Sequence, residues 1–153
     1  MSKLASSYPV GMEFRLAPRP MTRERMRWYV DIQETVQVDD GRIHTQAPTI
    51  HDDDAYAKKQ GLPGIISDGM ITTNWIHGLL IDVFGESAAG PGRLRTKYIA
   101  PIYEDQSVIT CARITRASID ADGSTRYEVE VWCEDDQAKK LTVGEAEIVV
   151  GQA

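Results

Sequence analysis

The sequence predicts an α+β domain in which one long apolar helix packs on an antiparallel sheet. Three observations carry this. Residues 69–84 hold Met70, Ile71, Trp75, Ile76, Leu79, Leu80, Ile81, Val83 and Phe84, and apolar residues on nearly every side mark a helix buried on most of its surface. After the turn AAGPGR the apolar period changes to two. The turn signals ADG at 121–123 and EDDQAKK at 134–140 then join the alternating runs as antiparallel neighbours.

The elements follow in order. Residues 1–10 read as a loose N-terminal arm, and EFRLAP, from Glu13 to Pro18, reads as a first strand. Thr22 is a good N-cap, and Met26, Tyr29, Val30 and Ile32 follow a helical stripe, so a helix is predicted from Thr22 to Gln33. Residues 34–50 have no clear period, VDDGR is a turn signal, and Pro48 breaks any helix there. DDDAYAKKQG, from Asp52 to Gly61, reads as a short helix with acids at its start, lysines near its end and a glycine cap. The long helix follows, with Asp68 or Ser67 to cap it and Gly85 to end it.

Among the strands, Val108, Thr110, Ala112 and Ile114 share one parity, and so do Tyr127, Val129, Val131 and Cys133. In the last run Leu141 and Val143 share one parity while Ala146, Ile148 and Val150 share the other. A bulge near Gly144 would explain the switch.

The chain has 153 residues, which suits one domain over 1–153 with a single sizeable core. The net charge of -6 argues against nucleic acid, because phosphate binding needs a basic face. The N-terminus has no apolar core of a secretion signal, and no run approaches a membrane span. A cytoplasmic location is the expectation. Cys111 and Cys133 fall in alternating segments without metal-ligand spacing, so they read as buried strand thiols rather than a disulfide. No metal-ligand cluster, serine elbow, phosphate loop or dinucleotide fingerprint is present.

Few residues are candidates for chemistry. His51 stands between a turn and three aspartates, where a histidine serves either as acid or base or merely bonds its loop. Gly69 opens the apolar helix. The first N–H groups of a helix lack partners and carry its positive dipole end, so a glycine there either donates to a ligand oxygen or serves packing. Asp68 beside it competes for those N–H groups. Arg93, Arg95 and Lys97 put three cations on one strand face, which suits either phosphate binding or a solvated surface. His77 lies inside the apolar helix and reads as a core or interface residue, and His44 has no spacing partner.

Together these positions resemble the MaoC-like, R-specific enoyl-CoA hydratase/dehydratase family. Its Asp-x-Asn-Pro-Ile/Leu-His-x-Asp segment is matched by PTIHDD at His51 and Asp53, and Gly69 follows His51 by eighteen residues, the family's spacing. Tyr98, Pro101 and Asp105 in LRTKYIAPIYEDQSV match the family's aromatic, Pro and Asp, and GEAEIVV matches its last strand. The resemblance covers residues 10–150 and implies a hot-dog fold, a curved antiparallel sheet wrapped around the long helix. It implies addition or removal of water at an enoyl or 3-hydroxyacyl thioester, with His51 as acid/base and the Gly69 N–H on the thioester oxygen. Asp68 and Met70, flanking that glycine, are placed at the substrate. It also implies a homodimer, and no cofactor beyond the CoA of the substrate. The family's catalytic Asp lies five residues before the His, and that position is Gln46 here. An amide orients water but does not take its proton. The sequence therefore leaves three readings open: a hydratase with a modified site, a non-catalytic acyl-binding or partner subunit, and a hot-dog thioesterase or other repurposed enzyme.

Overall fold

The computed structural model of the protein describes residues 8–31 and 48–151. His44 and Gln46 lie outside the described residues. The short strands β1 (Glu13–Arg15) and β2 (Arg19–Pro20) lead into helix α1 (Arg23–Asp31). Helices α2 (Asp54–Lys59) and α3 (Gly69–Phe84) follow, then one turn of 3-10 helix (Gly85–Ala89). The remaining strands are β3 (Arg93–Tyr98), β4 (Ser107–Ile119), β5 (Thr125–Glu134) and β6 (Lys140–Val150).

All strand pairs are antiparallel, in the order β1-β4-β5-β6-β3, with β2 also on β4. The predicted parity holds. Register pairs Ala112 with Val131, Ile114 with Val129, and Val129 with Ala146, so one set of side chains faces α3. From the helix, Ile71, Thr72, Ile76, Leu79 and Leu80 are buried against that face. Met70 and Ile81 stay 43% and 42% exposed, so one chain covers only part of the helix's apolar surface. No described helix is long and apolar enough to cross a membrane.

Caps fix the helix ends as the sequence suggests. The Thr22 hydroxyl accepts from Arg25 N (3.3 Å), Asp53 caps α2 through Tyr56 N (2.7 Å), and Asp68 caps α3 through Met70 N (2.8 Å). Gly61 and Gly85 end α2 and α3 at φ 87° and 61°, which suits glycine. The strand predicted to Pro18 divides instead: the chain leaves β4 after Arg15 and rejoins it at Arg19. Of the arm, Tyr8 is pinned rather than loose. Its hydroxyl donates to Val83 O (2.8 Å), and its ring packs edge-on against Phe14 and Phe84.

The predicted bulge lies three residues earlier than the parity count put it. Cys133 pairs with Thr142 and Glu134 with Lys140, so the extra residue on β6 is Leu141. Leu141 and Thr142 are therefore both buried in succession. Cys133 faces α3 while Cys111, paired with Trp132, faces the other side, so the two thiols are free and buried as expected. Burial pushes the Cys111 thiol up to about 11 and Cys133 up to about 12.

Edge strand β3 approaches β6 closely because position 144 is a glycine. A Cβ there would meet Arg95 O at 2.1 Å, a backbone atom that side-chain rotation cannot move. Gly144→Ala should destabilise the fold by about 1–3 kcal/mol or more, measured as urea unfolding. Amide exchange should accelerate first along β3.

Candidate active site

His51 is held from both sides. In the turn before it, Asp52 Oδ1 accepts from Thr49 N (2.7 Å) and the Thr49 hydroxyl (2.9 Å), and His51 N donates to Thr49 Oγ1 (3.1 Å). Across from it runs the segment that leads into α3. Ile66 N donates to Ile50 O (3.0 Å), and His51 Nδ1 lies 2.9 Å from Ile66 O. A carbonyl oxygen only accepts, so Nδ1 carries the proton in that bond. In the neutral ring Nε2 then keeps its lone pair. His51 is thus held as the Nδ1–H tautomer.

The same segment is fastened to the rest of the fold. Ile66 bridges to Tyr103, and Ser67 N donates to Ile102 O (2.8 Å). Asp54 of α2 accepts from Ile65 N (3.1 Å) and pairs with Arg23 (3.0 Å), which also grips Glu104 (2.6 Å). The Ile65 amide and then Arg23 hold the Asp54 carboxyl below its usual range, and Arg23 does the same to Glu104.

At the start of α3, Asp68 takes the Met70 N–H, and Ile71 N bonds Asp68 O (3.2 Å). The Gly69 N–H has no acceptor among the described residues. The cap leaves this one donor at the positive end of a helix of 16 residues. A Cβ on Gly69 would meet the Tyr98 ring at 2.6 Å. The Tyr98 hydroxyl lies 2.9 Å from Thr73 Oγ1 and 3.1 Å from Met70 Sδ, which holds the ring in that place.

These groups share one cavity of about 570 Å³, whose wall includes His51, Ser67, Asp68, Gly69, Tyr98 and Thr142, with Leu62, Ile66 and Ile99 to Ile102 between them. Thr142 and Thr72 hydroxyls satisfy each other (2.8 Å), and Thr72 donates on to Gly69 O (2.7 Å). Ser67 Oγ, in a residue only 6% exposed, has no partner. Such a buried hydroxyl costs about 1–3 kcal/mol.

The structure therefore brings together His51, Asp68 and Gly69, while Met70 is not among the residues that line the cavity. It does not bring Arg93, Arg95 and Lys97 to this cavity. They point to the opposite face of β3, where Arg93 and Arg95 lie 3.9 and 3.8 Å from Glu145. His77 does not line the cavity either. Among the described residues no group of His, Cys, Asp and Glu is placed to hold a metal. The sequence reading missed Ser67 as a cavity residue, since it stood there only as a possible cap. It also missed the seat of Tyr98 on Gly69. The alternation of RLRTKY, which puts Leu94, Thr96 and Tyr98 on the helix side, contained that signal.

Solved structures share this architecture. The (R)-hydratase from A. caviae involved in PHA biosynthesis superposes with a TM-score of 0.72 at 17% identity, over 95% of this chain and 99% of that one. The fold is the hot-dog fold. The MaoC-like dehydratase from Rhodospirillum rubrum gives 0.70 at 13% identity, over 95% and 94% of the two chains. The HadBC (3R-hydroxyacyl-ACP dehydratase) complex from Mycobacterium tuberculosis gives 0.68 at 14%, over 95% and 99%. No family model and no curated protein sequence matches the chain. In this hot-dog fold the curved sheet is β1 to β6 and the enclosed helix is α3.

The close seat of Tyr98 makes a packing test of Gly69 possible. Gly69→Ala should cost about 1–3 kcal/mol in the native background. With Tyr98→Ala also present the added methyl has room, so a double-mutant cycle followed by thermal unfolding should show coupling of about 0.5–3 kcal/mol. Additive effects would mean that the ring does not constrain the glycine.

Proposed function

We propose that the protein is a hydratase/dehydratase that adds water to, or removes it from, an enoyl or 3-hydroxyacyl thioester. One observation carries this reading. The Nδ1–H bond to Ile66 O leaves the His51 Nε2 lone pair for a proton, and His51 lines the same cavity as Gly69, whose N–H has no acceptor among the described residues. The likeness of fold to an (R)-hydratase and to dehydratases supports it.

In the hydration direction, His51 Nε2 takes a proton from water as the water oxygen bonds C3. The C2–C3 π electrons move toward the thioester carbonyl, and the negative charge falls on its oxygen. The Gly69 N–H and the α3 dipole hold that oxygen. The imidazolium then returns the proton to C2, so atoms and charge balance. Gln46, in the position of the family's Asp, orients the water without taking its proton. CoA is the carrier, entering as part of the substrate.

We further propose a cytoplasmic homodimer. Met70, Ile81, Tyr98 and Ile99 leave apolar surface exposed, the last two on the cavity wall. HadBC, of the same fold, is a complex. Sedimentation at micromolar concentration should give twice the monomer mass, and a monomer at all concentrations would remove this part of the proposal.

Hydration of crotonyl-CoA, followed by loss of enoyl absorbance, tests the reaction. Turnover is expected, with His51→Ala reducing it by about 10²–10⁴ and Gln46→Asp raising it. A native protein that is folded but inactive, with activity gained in Gln46→Asp, would make it a non-catalytic acyl-binding subunit. Release of free thiol from acyl-CoA would make it a thioesterase.

A further inference from the structure

Ser67 is the described residue whose buried side-chain oxygen lacks any hydrogen-bond partner, and it lies on the wall of the cavity two positions before Gly69. Several neighbouring polar groups have partners among the described residues. Its own N–H is spent on Ile102 O, Thr142 and Thr72 bond each other, Thr72 bonds Gly69 O, and Asp68 takes Met70 N–H. Two donors of these wall residues are without a partner among the described residues, the Ser67 hydroxyl and the Gly69 amide. They come from one segment, fixed by the Ile66–Tyr103 bridge on one side and the first turn of α3 on the other. A serine at 6% exposure that served packing alone would be better replaced by alanine, which fits the same space without an unpaired oxygen.

We propose that Ser67 is a second oxyanion donor: its hydroxyl, with the Gly69 N–H, binds the thioester carbonyl oxygen of the substrate. This rests on the hydratase reading above. The cavity then meets the developing charge with two donors rather than one, which partly offsets the loss of the family's Asp at Gln46. It also assigns the ligand chemistry, since a bound molecule must bring a hydrogen-bond acceptor to this wall, and a plain alkyl chain does not.

Two measurements on the full chain test it. Native protein and Ser67→Ala are compared in crotonyl-CoA hydration, where kcat should fall about 10²-fold or more with KM little changed. Thermal unfolding should show Ser67→Ala at least as stable as native, because a buried unpaired hydroxyl is removed. The second measurement needs no turnover. Infrared difference spectra of bound butyryl-CoA, carbon-13 labelled at the carbonyl, should show its stretch lowered by the native protein and less lowered by Ser67→Ala. An unchanged stretch, or a loss of activity matched by a loss of stability, would overturn the role of Ser67. A stretch that responds to Ser67→Ala in a protein without hydration activity would uphold the donor while removing the hydratase reading. No binding of butyryl-CoA at all would overturn both.

Discussion

The cavity depends on where α3 begins. Its first residue sits against the Tyr98 ring, so closely that a Cβ would approach ring carbons to 2.6 Å. A glycine at position 69 allows β3 and the helix start to meet, and that meeting closes one wall of the cavity. The helix is held in register by a chain of hydroxyls. Thr142 on β6 bonds Thr72, and Thr72 bonds the carbonyl of Gly69, so the sheet grips the first turn rather than only the apolar middle. Apolar burial alone, being non-directional, would let the helix slide along the sheet. The buried hydroxyl pair gives the contact a fixed position, because any slide would leave both oxygens without partners.

The capping arrangement sets the electrostatics of that end. A carboxylate beside the proposed oxyanion site looks self-defeating. Asp68 is nonetheless bonded to Met70 N–H, one residue further into the helix than the donor left open at Gly69. The cap stabilises the helix, and the remaining amide keeps its hydrogen for another acceptor. Separation of the two roles along adjacent peptide units is possible because an Asx cap reaches the second or third N–H and not the first.

Much of this was legible in the sequence, for specific reasons. The long helix is bounded at 69 and 84 as predicted because its signals are local: a capping Asp before it and a glycine after it. The parity of β4 and β5 was legible because each buries one face. The bulge at Leu141 was misplaced, since a parity switch shows only that an extra residue lies somewhere between Leu141 and Ala146, and register decides where. The loop histidine was visible as a candidate, but its tautomer was not. That depends on Ile66 O, fifteen residues away in sequence, and no periodicity reports such a contact. Ser67 was hidden for a similar reason. A serine before a helix looks like a cap, and only the occupancy of its oxygen tells otherwise.

The tautomer has a consequence for how one base manages two proton transfers. With Nδ1 committed to a carbonyl, His51 has a single nitrogen left for proton transfer. In the proposed hydration that nitrogen takes the proton from water and returns it to C2. The water and the returned proton must then reach C3 and C2 from the same face of the substrate, within reach of one atom. In that reading, addition on one face follows from the use of one base for both transfers. In the proposed reaction an amide at position 46 is compatible with the chemistry. What a lone base lacks is control of the water's position, and orientation alone contributes a large part of what a second group supplies. A glutamine gives that through its donor and its acceptor together.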